Sequence, residues 1–509
     1  MVPEYLRAFV VILTLSGLTF VAIRNPVLSL GMTTEDFARR RNVWLIATSA
    51  AFLAHSFWVF TLVLIPVLLY ARRLEQNPFA LYLFVLFAVP PFDAALSGLG
   101  IVNQLFELSY PRLLSLLVLL PWAVQSLSKD TPAFGKRLPD WLLLGYVLLP
   151  LYQQWQIDSV TNTMRNALYV FLDALLPYFV ASRSLRTVSD RRDALLSLGV
   201  ACVIMAPIAA LEFVKHWLLY SSLPAALGMA WDGGVYLGRG STLRAIVTAG
   251  HPIVLGYIMM IGILLYLALR TPNGRDTVWR CGLAALIVGV IAPMSRGPWI
   301  GALAGVVVFY GTGPAPVKQL LKLSGVGLVL VGVIMVSPWG SSLIQYLPFV
   351  GEVDKYNVDF RERLFELSLL VISQSPWFGS PFFMYAAPLQ ELRNGGMIDI
   401  VNSYLLVALQ TGYIGLTLFL GVFACAFHTI VSGFRAQPAD RDAEPYAQGR
   451  AILATLAAIM ISIATMSPIG FVPLMYWCVA GMAIGYRNAA QREPSAAPSV
   501  ASPHAAHVL

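Results

Sequence analysis

The chain has 509 residues, of which 58% are hydrophobic and only 12% charged, with 34 basic against 26 acidic side chains and a formal net charge of +8. Soluble domains run about 25% charged, so a soluble globular protein is excluded, and the recurring apolar runs make the bilayer the main solvent. The basic residues sit in loops between those runs, where the positive-inside rule accounts for them, so no nucleic-acid partner is implied.

In chain order, apolar runs bounded by charge, Pro or Gly fall near 6–23, 43–70, 79–92, 112–127, 141–155, 166–182, 194–220, 251–269, 281–294, 298–311, 323–337, 404–431, 451–467 and 471–486. They predict an all-α polytopic membrane protein with about 13–14 transmembrane helices. The first run ends at Arg24-Asn25-Pro26 with no small-residue cleavage site and reads as a retained anchor. Placing the Arg72-Arg73 connection in the cytoplasm and alternating sides puts 17 Lys and Arg in the short inner loops and 4 in the short outer ones. On this scheme Lys136, Arg191, Arg275, Lys318 and Arg441 face the cytoplasm. Alternation puts Arg39, Arg40 and Arg41 outside, against the rule. Either the 43–70 segment, interrupted by His55-Ser56 and Pro66, does not span fully, or the triplet serves the outer surface. Cys202, Cys281, Cys425 and Cys478 show no spacing typical of a metal site or disulfide framework.

The expected organisation is 1–199 as N-terminal transmembrane helices, 200–431 as a core that includes a periplasmic loop at 339–403, 432–486 as C-terminal helices, and 487–509 as a disordered cytoplasmic tail. The 339–403 loop spans 65 residues and carries four basic and seven acidic side chains. Loops of that length are usually functional or separately folded. Within it, Asp359-Phe360-Arg361-Glu362 opens a helix in capping-box style. Phe360, Leu364, Leu367 and Val371 recur at helical spacing until Ser375-Pro376 stops it, which predicts an amphipathic helix on the outer membrane surface.

Several charged residues lie where charge is costly. Arg296, in Ser295-Arg296-Gly297-Pro298, stands between two apolar runs with almost no loop, as an anion receptor facing a cavity or as a snorkelling arginine. Arg239 and Arg244 are outward-side arginines suited to bidentate phosphate binding, with a solvated loop charge as the plain alternative. His251, ahead of Pro252 at a helix start, is placed to donate to the same anion or to serve only structure. Arg361 and Arg363 point about 200° apart on a helix, so one is expected at the site and one in a pair with Glu362, Glu366 or headgroups. Asp399 lies where the long loop re-enters the membrane, as a base for an acceptor hydroxyl or as a helix cap. Glu212 reads as a local ion pair with Lys215 and His216.

These stretches resemble the O-antigen ligase and polymerase superfamily of bacterial membrane glycosyltransferases, the Wzy and lipopolysaccharide-ligase type. Three matches carry the resemblance: Arg244 followed by Gly250-His251-Pro252; Ser295-Arg296-Gly297; and FRERLFELSLLVISQSPWFG at 360–379, followed by Asn402-Ser403-Tyr404-Leu405 and Gly412-Tyr413-Ile414-Gly415. Together they cover roughly residues 200–431. The resemblance implies a GT-C-like, metal-independent enzyme with no cofactor, acting in the bacterial inner membrane on glycan carried by undecaprenyl diphosphate. Arg244, Arg296 and Asp399 are then the expected catalytic groups, and Arg239, His251, Arg361, Arg363 and Asn402 the expected substrate-binding groups. A glycan donor, a glycan acceptor and a chain-length regulator or flippase are the expected partners. Ligases of this type place His directly before the Asn of the last motif, where this chain has Val401, which tilts the expectation to a polymerase, with a ligase as the alternative. A lipid-linked oligosaccharide flippase is a further alternative, but transporters commonly show repeated halves, and none is found here.

Overall fold

The computed structural model describes residues 2–98, 104–127, 131–229, 234–239, 242–269, 276–337, 355–393, 398–436 and 443–490. The expected disordered tail, Arg275, Arg441 and the start of the long loop therefore lie largely or wholly outside the described residues. The chain is an all-α polytopic membrane protein. The helices are α1 (Glu4–Ser29), α2 (Thr34–Leu53), α3 (Phe57–Leu74), α4 (Pro78–Val85), α5 (Tyr110–Leu114), α6 (Leu120–Ser126), α7 (Leu138–Ile157), α8 (Val160–Val170), α9 (Leu176–Ser184) and α10 (Val188–Lys215). There follow α11 (Leu223–Ala226), α12 (Pro252–Tyr266), α13 (Asp276–Ile291), α14 (Arg296–Gly311), α15 (Pro316–Val336), α16 (Lys355–Gln374), α17 (Ala387–Gln390), α18 (Ser403–Ala436), α19 (Glu444–Ile463) and α20 (Phe471–Ala490). Single π turns at Ser115–Leu119 and Phe171–Leu175 join α5 to α6 and α8 to α9, each ahead of a proline. Two short antiparallel hairpins are the strands among the described residues. Seven described helices are long and apolar enough to cross a bilayer, and 277–291 and 471–486 form shorter apolar helices.

The bundle has two chemically different ends. At one, Arg40 is fully buried, held by Glu75 at 2.7 Å and by Asp193 at 2.6 Å. Asn77 Nδ2 donates to Asp190 O at 2.9 Å, Arg183 pairs with Asp140, and Arg192 pairs with Glu444. A buried charge is tolerable only when paired in this way. At the other end Trp217 Nε1 donates to Glu4 at 2.9 Å, the Tyr5 hydroxyl meets His55, and Arg244 reaches Ser295.

This layout decides between the two explanations left open for Arg39–Arg41. The 43–70 segment is not one span but parts of α2 and α3, which fold back at His55-Ser56, where His55 takes a φ of 53°. The turn adds one reversal, so the triplet stands at the same end as Arg72, Arg73 and Arg191. The interruption at His55-Ser56 that the sequence shows is therefore a hairpin between two helices.

The long loop is also built differently from the expectation. α16 begins at Lys355, so the Asp359–Glu362 stretch lies inside the helix rather than capping it, although the helix stops at Ser375-Pro376 as the sequence predicts. Leu364, Val371 and Ile372 pack with Phe383, Leu389, Leu405 and Leu409 in a core of their own. The Leu364–Val371 face of α16 is thus covered by the loop and by α18, while Phe365, Leu369 and Leu370 on its other side stay exposed. The clamp that docks this unit is a pair of glycines. Gly379 and Gly412 approach so closely that a Cβ on Gly412 would lie 2.4 Å from the Trp377 carbonyl, and Tyr413 and Ile414 donate to Pro376 O and Trp377 O.

Candidate functional site

Four segments meet at the Arg244 end. The first, 244–251, follows the hairpin of Gly238–Arg239 and Thr242–Leu243. It is suspended from Glu212, whose carboxylate accepts from Ile246 N and Val247 N at 2.9 Å and from Leu219 N at 3.0 Å. Glu212 therefore holds backbone rather than pairing with Lys215 or His216 as the sequence suggested. Thr248 then donates to Phe87 O at 2.9 Å, drawing the loop against the end of α4.

The second segment is the turn between α13 and α14. Arg244 Nε donates to Pro293 O at 3.0 Å and its Nη2 to Ser295 Oγ at 2.8 Å, while Ser295 Oγ donates to Pro293 O at 3.2 Å. Ala245 N donates to Ala292 O at 3.2 Å. Arg296, half-buried, is the first residue of α14, directly after the serine that Arg244 grips. Val247 and Met294 have φ of 47° and 51°. Positive φ is unfavourable for both and a true outlier for a β-branched residue. Strain of this kind persists where surroundings over-determine the backbone, often at functional sites.

The third and fourth segments bring the carboxylate. Gly297, Gly301 and Gly305 give α14 a small-residue stripe that lets it touch Thr465, Ser462 and the backbone of Ala458 and Ala454, as closely packed membrane helices require. The turn after α19 is thereby fixed beside Arg296. Ser467 Oγ in that turn donates to Asp399 Oδ1 at 2.7 Å. Asn402 accepts from Tyr404 N at 2.9 Å and Leu405 N at 3.2 Å, capping α18. It is Asn402, not Asp399, that caps this helix.

His251 lies in the field of both Arg244 and Asp399, and Arg361 in that of Asp399, so these four side chains form one electrostatic group. Burial first, and Arg244 second, push the His251 imidazole down to about 4. It is therefore neutral near pH 7. Its Nδ1 accepts from Ile253 N at 3.2 Å, so the proton of the neutral ring resides on Nε2, which becomes a donor. Arg363 is turned elsewhere, onto Glu391 at 2.6 Å, and both groups are exposed. The Arg239 backbone is in the hairpin, while its side chain lies outside the described residues. Among the described residues no three His, Cys, Asp or Glu side chains gather as a metal site would need.

Two anchoring residues carry no motif. Ser467 belongs to an unremarkable Ser-Pro turn. Glu212 had one signal, a carboxylate in an apolar run, which is costly unless it has a task.

A many-helix membrane protein with arginines and a carboxylate gathered at the end away from its basic loops is the class that fold and site define. Residues 281–420 match the family described as O-antigen ligase, which supports the O-antigen ligase and polymerase superfamily and an activity of glycosyltransferase type. The matched stretch contains Ser295, Arg296, Arg361, Arg363, Asp399 and Asn402, while Arg244 and His251 lie outside it. No curated protein matches the chain significantly.

Proposed function

We propose that this protein is a polymerase that joins undecaprenyl-diphosphate-linked oligosaccharide repeat units into O-antigen or exopolysaccharide at the periplasmic face of the bacterial inner membrane. The observation that carries this reading is the convergence of Arg244, the Ser295-Arg296 turn, His251 and Arg361 on the segment bearing Asp399. The count of 17 basic residues in one set of short loops against 4 in the other supports a cytoplasmic side for the opposite end of the bundle and a periplasmic one for this group.

In the reaction the bond between the sugar C1 and the diphosphate oxygen breaks, and its electron pair leaves with the diphosphate. Guanidinium groups stabilise that growing negative charge without needing to be deprotonated. The Nε2–H of His251 adds a neutral donor. The acceptor hydroxyl forms the new bond to C1 and passes its proton to Asp399, whose Oδ1 is oriented by Ser467. Transfer is thus metal-independent, with arginines in the role a cation would fill.

Val401 stands before Asn402 where ligases place His, which favours polymerisation. Against this, the family match is described as O-antigen ligase, which favours transfer of the finished glycan to lipid A core or protein. Deleting the gene separates the two. Accumulation of single lipid-linked repeat units supports a polymerase, whereas long lipid-linked chains left unattached support a ligase.

A further inference from the structure

A cavity of about 690 Å³ lies between α7, α8 and the Pro381–Tyr385 turn of the long loop, with Pro468 and the start of α20 closing its side. Pro468 directly follows Ser467, the residue that holds Asp399. The cavity therefore opens beside the candidate reaction centre without sharing its arginines. Three features define its chemistry.

Aromatic rings line it at two levels. Tyr146, Tyr476 and Trp477 form its floor as part of a packed aromatic cluster with Phe419. Phe382 and Tyr385 stand at its lip, 53% and 79% exposed, covering little in the folded chain. Between the levels runs a row of amides and carboxylates. Asn166 Nδ2 donates to Gln154 Oε1 at 2.8 Å, and Gln154 Nε2 donates to Asp158 Oδ2 at 3.1 Å. Gln153 Nε2 donates to Phe378 O at 2.6 Å, but its Oε1 is buried with no hydrogen-bond partner. An unpaired buried amide oxygen costs free energy and asks for a donor from a ligand. The third feature is the π turn of α8–α9, which presents Asp173, held by Arg112 at 3.0 Å, to the same space. Such turns are frequent at functional sites.

Aliphatic side chains, among them Val147, Leu151, Ile157 and Val170, also line the cavity, but the row of amides and carboxylates interrupts the apolar wall that an isoprenoid chain would want. Hydroxyl-rich rings with one apolar face match this mixed lining, because aromatic faces take the C–H side and amides both donate and accept to hydroxyls. The volume is within the range of small-ligand sites. We propose that this cleft is a saccharide-binding subsite that seats sugar rings of the glycan next to Asp399. The proposal rests on the transferase reading for its purpose, but not for its chemistry.

The test uses the full-length protein in detergent and the neutral oligosaccharide released by mild acid and phosphatase from the lipid-linked glycan of the same cells. Binding is followed by calorimetry, and transfer with the oligosaccharide as acceptor is followed as kcat and KM. Tyr385→Ala removes an exposed ring, and Gln154→Leu breaks the amide row. Each is expected to raise Kd and KM roughly tenfold with kcat nearly unchanged, as loss of binding without loss of transition-state contact requires. Arg296→Lys is expected to bind the oligosaccharide like the unmodified protein. Wild-type Kd in both cleft variants overturns the subsite, as does displacement of the oligosaccharide by sugar-free undecaprenyl phosphate in proportion to occupancy of the cleft. Cleft-dependent binding with no transfer to any acceptor leaves the saccharide site standing and removes the transferase reading. Transfer with unchanged KM in the variants does the reverse.

Discussion

Arg244 and Ser295 meet at 2.8 Å although 51 residues separate them, and their contact joins the loop hung from Glu212 to the turn that opens α14. Lysine at position 244 keeps the charge but replaces the planar fork that grips Pro293 O and Ser295 Oγ, and still has donors to spare, with a single ammonium. Arg244→Lys is therefore expected to lower transfer by roughly a hundredfold, the scale of losing one oriented donor at a developing anion. Ser295→Ala should cost about tenfold by the weaker loss of one hydrogen bond. Because the two side chains share one contact, the double variant should fall well short of the product of the single effects. Independent effects in this cycle would separate the two loops functionally.

Arg296 and Asp399 are expected to differ in weight. The diphosphate is already a good leaving group, so its charge needs more help than the acceptor proton does. Arg296→Lys should reduce kcat more than Asp399→Asn, and Ser467→Ala, which only frees the carboxylate, should be milder still. Single-turnover rates on a synthetic lipid-linked repeat unit with chelator present rank the three. A requirement for added metal would remove the arginine mechanism.

Much of this site was legible as a set of charges in awkward places. Arg244, Arg296 and Asp399 stand out because a membrane protein does not leave charge beside apolar runs without cause. What joins them was not legible. The Ser467 contact spans 68 residues and depends on α14 lying against α19 through three glycines, a packing relation with no local periodicity. At His55-Ser56 the sequence showed an interruption but not its kind: apolar residues on both sides left open whether the chain bends or turns back, and it turns back between α2 and α3. Capping chemistry misled at Asp359, since Lys355–Val358 continue the helix upstream.

His251 gives a pH prediction with a definite sign. An ordinary histidine titrates near 6.5, and burial beside Arg244 pushes this one down to about 4. Between those values the unfolded chain holds the extra proton and the folded chain does not. Stability supplied by this residue is therefore whole above about pH 6.5 and declines as pH falls toward 4. Activity profiles of the unmodified enzyme and His251→Asn should have the same shape from pH 7 to 8. An inflection near 6.5 present only with histidine would show that the imidazole titrates in the working range.

The corrected topology makes its own prediction. With Arg40 fixed between Glu75 and Asp193, Glu35 lies at the basic end of the bundle. A cysteine at Glu35, in a background lacking the native cysteines, should react with an impermeant maleimide only after permeabilisation, as should one at Lys318. A cysteine at Glu391 should react in intact cells. Glu75→Gln removes one of the two carboxylates that hold Arg40 while Asp193 remains, and is expected to destabilise the protein by about 1.5–3 kcal/mol, the scale of a hydrogen bond to a charged group. Labelling of Glu35→Cys in intact cells would restore the simple alternation that put the triplet outside.

Gly412 offers the sharpest separation of loop from bundle. Its φ of 64° and ψ of −166° lie in a region essentially reserved for glycine, inside what is otherwise one long helix. The conformation is needed because the Trp377–Gly379 backbone passes against it. In Gly412→Ala the methyl would meet the Trp377 carbonyl at 2.4 Å, and the opposing atoms are backbone, which cannot rotate away. Either the loop lifts or α18 straightens, and both release the Ser380 N to Leu409 O and Tyr413 N to Pro376 O bonds. The bundle below is held by contacts that do not involve this clamp, including those of Arg40, Arg183 and Arg192. The variant should therefore insert and purify normally while limited proteolysis gains cuts within 376–393, and transfer should fall at least tenfold because Asp399 is carried on the same unit. Gly379→Ala faces the same backbone from the other side and should match it. If either variant kept full activity with an unchanged digestion pattern, the glycine pair would not be what seats the loop over the site.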